Sequence, residues 1–327
     1  MIGSRPFSAD EPTVADVLAA ARRLRGVARR TPLQRSEGLS AAAGADVFLK
    51  LEGMQITGSF KLRGAYNRVA TLSPEERARG LVTASAGNHG QGVALAAGLL
   101  GARARVFVPA GAPETKRRRI ARFGAELELV EGGYDEAHAA AEAHAAEAGA
   151  TFVHAYSDPQ TVAGQGTVAL EVYQELPEVL TLVVPVGGGG LANGCGIVAR
   201  ALGPGVRVVG VQTHATGAMH ASLAAGSLCC PPQLETFCEG LSGETDERSL
   251  ALARRVVDEV VLVSEEAVRR AMRWLFVEEG VVAEGSAAVA AAALLEGALP
   301  NLAGPVAVVL TGSNVDAARM AAVLGSE

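Results

Sequence analysis

The sequence is poor in aromatic residues, in long apolar runs and in positive charge. Aromatic residues make up 4% of the chain although hydrophobic residues make up 49%, so the core must be built mainly from alanine, valine and leucine. No run of about 18 uncharged apolar residues occurs, which predicts that no segment spans a membrane. The formal net charge of -6 argues against a general nucleic-acid binder.

The four cysteines form no CxxC pair, and the adjacent Cys229 and Cys230 are poor candidates for a disulfide. We interpret all four as reduced thiols of a cytoplasmic protein and predict no metal site. The segment Met1–Asp10 has no apolar signal core and is predicted to be a frayed tail. The basic run Lys116–Arg119 wraps around a predicted helix, and we expect it on a solvated face.

The length of 327 residues corresponds to about two domains at ~150 residues each. From about Gly80 onward, short apolar strands alternate with single helices. This alternation predicts an α/β fold in which parallel strands are joined by right-handed crossovers.

The strongest local signal is the run Gly187–Gly190, which lies between a predicted strand at 182–186 and a helix. Four glycines allow the backbone to approach an anion, and a helix N-terminus adds N–H donors and a positive dipole end. Leu191 follows instead of the Lys-Ser/Thr of a P-loop. A dinucleotide site would have an acidic residue about 20 residues further on, and this chain has none there. We predict a monophosphate cradle; the alternative is a merely flexible turn.

Two further polar segments follow predicted strands. Ser85–Gly92 could bind a carboxylate through Ser85 and backbone N–H groups, while Asn88 offers a neutral donor. Thr311–Asn314 offers a neutral hydroxyl that can bond a ring nitrogen without protonating it. For the first segment, the less favoured alternative is a capped helix start.

Lys61 stands beside Phe60 at a predicted helix start. A lysine in this position is usually a solvated surface residue, but one removed from water becomes a nucleophilic amine and a base. A lysine amine, a monophosphate cradle, a carboxylate site and a neutral ring partner together suit pyridoxal 5′-phosphate.

The sequence resembles the fold type II pyridoxal-phosphate enzymes, and within them the threonine/serine dehydratases (threonine ammonia-lyases). The motifs that carry the resemblance occur in the family's order, and they are Ser59–Ala65, Ser85–Gly92, Ala163–Thr167, Val184–Leu191 and Thr311–Asp316. The resemblance implies two open, twisted, mostly parallel sheets flanked by helices, of the tryptophan synthase β type. It implies a large domain of residues 1–53 and 154–327, a small domain of residues 54–153, and the cofactor between them.

The resemblance also assigns roles to residues. It implies that Lys61 binds the cofactor covalently and then removes the substrate's α-proton. The other cofactor contacts that it implies are Phe60, Asn88, Gly187, Gly188, Gly189, Gly190, Leu191, Glu284 and Ser313, with Ser313 at the ring nitrogen. The substrate contacts that it implies are Ser85, Ala86, Gly87, Asn88 and His89.

The implied activity is β-elimination from L-threonine or L-serine, which gives 2-oxobutanoate or pyruvate plus ammonia. Serine racemases have a second serine where this chain has Ala86, and they carry acidic metal ligands where it has Gln212, Thr216 and Ala218. We therefore expect elimination without a metal. Alternatives are a dehydratase of another β-hydroxy amino acid, of phenylserine or hydroxyectoine-pathway type, then a serine racemase, and a non-catalytic anion-binding or regulatory protein with the same fold.

Two expectations about assembly and regulation follow from the same resemblance. Members of the family usually form homodimers or homotetramers. The chain resembles the short form without a C-terminal regulatory domain, so feedback inhibition by isoleucine is not expected.

Overall fold

The computed structural model describes residues 11–203, 205–232, 234–243, 245–300 and 302–325. The tail predicted at Met1–Asp10 lies outside these residues. The described chain contains ten strands: β1 Leu33–Ser36, β2 Val47–Leu51, β3 Leu81–Ala84, β4 Ala104–Pro109, β5 Glu126–Val130, β6 Thr151–Phe152, β7 Thr181–Pro185, β8 Arg207–Thr213, β9 Glu259–Val263 and β10 Val306–Leu310.

Helices separate most of these strands, as the alternation predicted. They are α1 Val14–Leu24, α2 Glu37–Ala43, α3 Lys61–Ala70, α4 Pro74–Arg79, α5 Asn88–Leu99, α6 Glu114–Ala121, α7 Tyr134–Ala148, α8 Pro159–Glu175, α9 Gly190–Leu202, α10 Ala218–Ala225, α11 Glu247–Val256, α12 Glu265–Glu278, α13 Gly285–Leu295 and α14 Ala317–Gly325. Local chemistry sets several starts. The Ser264 side chain accepts a hydrogen bond from the backbone N–H of Ala267 at the start of α12, as an N-cap should.

The strands form two open sheets. The larger has the order β1-β2-β10-β7-β8-β9, and the smaller has the order β5-β4-β3-β6. Only β1, which pairs with β2, is antiparallel in the described sheets; every other neighbour is parallel. The predicted fold class is confirmed. The strands of the small sheet all fall within residues 81–152, while the domain bounds at 54 and 153 stay a prediction.

Small residues let the helices pack closely around both sheets. Residues Gly285 to Leu294 of α13 are all buried. Among the described residues, the only buried phenylalanine, tyrosine or tryptophan side chains are Phe107 and Tyr173. Where α8 crosses α9, a Cβ on Gly166 would lie 2.8 Å from the carbonyl oxygen of Gly194. A side chain there would push the helices apart, so this part of the core depends on glycine.

A buried ion cluster ties α3 to the large sheet and to α8. It consists of Lys50, Glu52, Arg63 and Glu171. The Arg63 guanidinium bonds both carboxylate oxygens of Glu52 at 2.8 Å and both of Glu171 at 2.7 and 2.9 Å. Lys50 Nζ lies 2.7 Å from Glu171 Oε2. Because α3 begins at Lys61, the cluster fixes the helix that carries this lysine.

No helix in the described ranges combines the length and the apolar character that crossing a membrane requires. Cys195 and Cys238 are buried free thiols, Cys229 is a half-buried free thiol and Cys230 is exposed.

Candidate active site

A cavity of about 460 Å³ lies between the two sheets. Its lining comes from the start of α3, from loops that follow β3, β7 and β10, and from the segment between β6 and α8. Parallel pairing brings the carboxyl ends of β7 and β10 to one edge of the large sheet, and the loop after β3 reaches the same cavity from the small sheet. The residues named from the sequence that line it are Phe60, Lys61, Ser85, Ala86, Gly87, Asn88, His89, Gly187, Gly188, Gly189, Gly190, Leu191 and Glu284.

Lys61 is the first residue of α3, and its amine faces the cavity. Its Nζ donates a hydrogen bond to the carbonyl oxygen of Ala155 at 3.0 Å and lies 5.2 Å from the ring centroid of Phe60. Burial lowers the pKa of Lys61 to about 8, because desolvation penalises the ammonium form. A neutral, nucleophilic amine is therefore accessible near neutral pH.

The glycine loop, Gly187–Gly190, leads from β7 into α9. Gly189 has a φ of +103°, and a Cβ there would lie 2.4 Å from Ser249 Oγ, so only glycine fits. Among the described residues, the backbone N–H groups of Gly187, Gly188, Gly189 and Gly190 donate to no other group. Unpaired N–H groups at a helix N-terminus are the donor set that a phosphate requires.

Asn88 begins α5 and belongs to a chain of three side chains. Its Nδ2 donates to Glu284 Oε1 at 2.6 Å, and its Oδ1 accepts from Asn314 Nδ2 at 2.7 Å. Burial raises the pKa of Glu284 to about 7, although the hydrogen bond from Asn88 opposes this shift.

The segment Ser85–His89, which we call the carboxylate loop, connects β3 to α5. Ser85 Oγ accepts a hydrogen bond from the backbone N–H of Gly87 at 3.1 Å. His89 is buried with Nε2 at 2.9 Å from the carbonyl oxygen of Val153, and burial lowers its pKa to about 3. The imidazole is therefore neutral, and its Nε2 proton is committed to Val153. Any contribution of His89 to anion binding must come from its backbone.

Thr311 and Ser313 occupy different environments. Ser313 is not part of the cavity lining, and its Oγ donates to the carbonyl oxygen of Gly53 at 2.9 Å. Thr311 lines the cavity, and its Oγ1 lies 3.3 Å from the carbonyl oxygen of Ser286. The role of Ser313 at a ring nitrogen stays a prediction. The end of β10 at Leu310 is the signal that favours Thr311, because ligands bind just outside the carboxyl ends of strands.

The basic run is partly exposed, as a solvated face should be, but Lys116 and Arg119 also line the cavity, which the sequence did not predict. Lys116 pairs with Glu239, which also pairs with Arg319 at 2.8 Å. Arg119 Nη2 donates to the carbonyl oxygen of Val315 at 3.2 Å. These contacts depend on tertiary structure, because α6 lies beside the cavity, where Glu239 and Val315, which are distant in the sequence, bond its cations.

Tyr156 and Asn314 also line the cavity. The resemblance marks Tyr156 as standing where threonine dehydratases often have a smaller or purely apolar contact, and it gives Asn314 no role. Tyr156 packs on the glycine loop, since a Cβ on Gly188 would lie 2.5 Å from its ring. No local pattern marks Tyr156, because its position depends on where the segment after β6 crosses the loop. Asn314 belongs to a motif that the sequence did single out.

Glu284→Gln should change how stability depends on pH. With an ordinary pKa of 4.5 and a folded value of about 7, native Glu284 keeps a proton that the unfolded chain has released between these values. The free energy of unfolding therefore falls as pH rises through this window. In cofactor-free protein, Glu284→Gln should remove this fall, which at about 1.4 kcal/mol per pKa unit amounts to about 3 kcal/mol by pH 7.

Urea unfolding at several pH values measures this difference. Glu147 is exposed, and Glu147→Gln serves as the control that should follow the wild-type profile. Parallel profiles for Glu284→Gln and wild type would show that the carboxyl group is not held protonated.

Comparison with known proteins agrees with this geometry. A family model described as "Pyridoxal-phosphate dependent enzyme" matches residues 24–312. The L-threonine ammonia-lyase of Thermotoga maritima is 43% identical over 305 residues, which cover 93% of this chain and 76% of the relative. Processed threonine deaminase isoform 2 from Solanum lycopersicum superposes with a TM-score of 0.91 at 30% identity, covering 100% of this chain and 99% of that one. Maize serine racemase superposes with a TM-score of 0.92 at 30% identity, covering 95% and 96%.

Proposed function

The chain belongs to the family of pyridoxal-phosphate-dependent enzymes, and we propose that it is an ammonia-lyase that converts L-threonine to 2-oxobutanoate and ammonia. L-Serine, which would give pyruvate, is the second substrate of this proposal. The observation that carries it is the meeting of a desolvated lysine amine, a glycine loop with unpaired N–H groups and the Asn88 amide in one cavity. A cytoplasmic location, a catabolic role and a homodimeric or homotetrameric assembly belong to the same proposal.

The donor set fits pyridoxal phosphate. Lys61 would hold it covalently, the glycine loop with Leu191 would hold its phosphate, and Asn88 would bond its ring oxygen. Phe60 and Glu284, which also line the cavity, would lie beside it. For the ring nitrogen, the lining position of Thr311 supports this hydroxyl over that of Ser313. When bound, the cofactor supplies an electron sink for the electron pair that the substrate's Cα–H bond leaves behind.

The chain's own residues bind the substrate and move its proton. Backbone N–H groups of the carboxylate loop would hold the substrate carboxylate beside Lys61. The Lys61 amine, neutral above a pH of about 8 and partly so below, would accept the α-proton at Nζ. A neutral threonine or serine hydroxyl at the ring nitrogen leaves the ring unprotonated, which favours loss of the β-hydroxyl over transamination.

Ala86 supports elimination over racemisation. It lines the cavity within the carboxylate loop, and its methyl group can neither accept nor donate a proton. Inversion at Cα needs a second acid on the face opposite to Lys61, and the serine that racemases carry where this chain has Ala86 would supply that acid. The proposal is therefore a one-base elimination.

A substrate panel on the purified enzyme tests the proposed function. We expect 2-oxoacid release from L-threonine and L-serine, with little formation of D-serine. Phenylserine and the hydroxyectoine-type β-hydroxy amino acid belong in the same panel, because preferential turnover of either would replace L-threonine as the substrate. Cofactor binding without turnover of any of these amino acids would overturn the proposal.

A further inference from the structure

Asn314 bonds both other members of the hydrogen-bonded chain that runs from Glu284 through Asn88. Its Nδ2 donates to Asn88 Oδ1 at 2.7 Å and to the carbonyl oxygen of Thr57 at 2.8 Å. Both protons of this amide are therefore committed. The backbone N–H of Asn314 also bonds Glu284, and this bond favours the ionised carboxylate.

These bonds determine which way the Asn88 amide faces. An asparagine amide has an oxygen and a nitrogen of nearly equal shape, so its neighbours decide its orientation. Asn314 presents only donor protons to Asn88, which fixes the oxygen on that side. The nitrogen then faces Glu284, and one Nδ2 proton remains for a ligand, because Nδ2 has a single partner among the described residues.

Glu284 alone would not fix this orientation. A protonated carboxyl group can donate as well as accept, so it is compatible with either orientation of the Asn88 amide. With a pKa raised to about 7 by burial, Glu284 is protonated in a large share of molecules at neutral pH. The donor from Asn314 has no such ambiguity.

Asn314 is also in contact with the segment that leads into Lys61. Thr57 lies four residues before Lys61, and a Cβ on Gly58, which has a φ of +72°, would lie 2.7 Å from Asn314 Oδ1. The chain at Gly58 therefore leaves room for this side chain. One residue thus holds both the approach to the lysine and the amide at the start of α5.

We propose that Asn314 is a positioning residue that orients the Asn88 amide, so that a proton of Nδ2 is presented to an oxygen atom on the aromatic ring of the cofactor. This inference rests on the proposed function only for the identity of the ligand. The reach from Asn314 to Thr57 makes the same residue a link between the Lys61 segment and Asn88.

Asn314→Asp tests the proposal because it replaces the donor amide with an acceptor of the same shape. The introduced carboxylate would repel Asn88 Oδ1, so the Asn88 amide should turn and present its oxygen where the ligand needs a donor. We expect the dissociation constant of pyridoxal phosphate, titrated by its absorption in the full-length protein, to rise about tenfold to a hundredfold. The absorption band of the bound cofactor should also shift, which a purely structural role would not cause.

The Asn88→Ala background makes the test specific. If Asn314 acts through Asn88, most of the loss of cofactor affinity caused by Asn314→Asp or Asn314→Ala should disappear once Asn88 is absent, and the part that remains reports the separate bond to Thr57. Asn314→Ala removes the donor without adding charge, so it decides the matter if Asn314→Asp fails to fold. An effect that persists undiminished in the Asn88→Ala background would overturn the proposal, as would wild-type affinity and spectrum in Asn314→Asp.

Asn67→Asp provides a matched control. Asn67 is another buried amide, bonded to Arg23 and to the carbonyl oxygen of Gln160, and it does not line the cavity. The Asn67→Asp substitution should leave the absorption band of the bound cofactor unshifted. A wild-type protein that binds no pyridoxal phosphate would refute the proposed function itself, whereas a cofactor-binding wild type without coupling between the two asparagines refutes only the role of Asn314.

Discussion

Lys61→Ala is expected to lower the rate of 2-oxoacid release from L-threonine by at least about 10⁴-fold. The change removes the amine in the cavity that burial keeps near its titration point. On the proposed assignment it also removes the residue that would hold the cofactor covalently, while the glycine loop and Asn88 remain. The protein should therefore bind pyridoxal phosphate weakly and reversibly, without the absorption band of the lysine-linked cofactor.

Lys61→Arg is the matched control for charge and bulk. A guanidinium stays protonated in proteins and cannot act as a neutral amine, so this variant should be as inactive as Lys61→Ala. Activity retained by Lys61→Arg would mean that position 61 needs only a cation. Borohydride reduction of the wild-type protein followed by peptide mapping gives an independent readout. A cofactor adduct on a peptide that does not contain Lys61 would refute the assignment.

Much of the site could be predicted from the sequence because its motifs are local and each follows a strand. Asn88 and the glycine loop each lie between a strand end and a helix start, whereas Lys61 was assigned only from the set of motifs together and from the resemblance. Parallel pairing gathers strand ends at one edge within each sheet. That the small sheet and the large sheet contribute to one cavity did not follow from the alternation; only the resemblance implied a site between the two domains.

The choice between Thr311 and Ser313 could not be made in the same way. The two hydroxyls are two residues apart, and which one faces the cavity depends on how the chain turns after Leu310. The structure places Ser313 Oγ against the carbonyl oxygen of Gly53, a contact between residues 260 positions apart. Local pattern carries no information about such a partner.

The basic run shows a second limit of the same kind. Helical periodicity indicated that its cations spread around the axis of α6. It could not indicate that Glu239 and Val315 of the other half of the molecule would meet Lys116 and Arg119. The buried ion cluster is likewise absent from any local pattern, because Glu52 and Glu171 lie more than a hundred residues apart.

Arg63→Met should be the most destabilising single change in the buried ion cluster. Glu52 is fully buried, and apart from Arg63 it bonds only the Thr31 hydroxyl, at 2.5 Å, among the described residues. Removing the guanidinium leaves this carboxylate without a cation, because Lys50 pairs with Glu171 instead. Loss of one partner of a buried ion pair costs about 3–5 kcal/mol, and the urea midpoint should fall accordingly.

The matched variants separate charge from packing. Arg63→Lys keeps the charge but not the planar fork that bonds both oxygens of Glu52, so we expect an intermediate loss. Arg63→Met combined with Glu52→Gln removes the stranded charge, and the double variant should be more stable than Arg63→Met alone. If the double variant is less stable by the sum of the two single losses, the pair is not coupled.

The pH dependence of Arg63→Met gives the sign of the effect. Although desolvation opposes the shift, Arg63 lowers the pKa of Glu171 by its hydrogen bond and its charge. This stabilisation is present above the ordinary carboxyl pKa and is lost as pH falls, and Arg63→Met removes it. The difference in the free energy of unfolding between wild type and Arg63→Met should therefore shrink as pH falls and grow as pH rises toward 7. A deficit that is independent of pH would indicate lost packing of the arginine side chain, and a deficit below about 1 kcal/mol would mean that the cluster behaves like a surface ion pair.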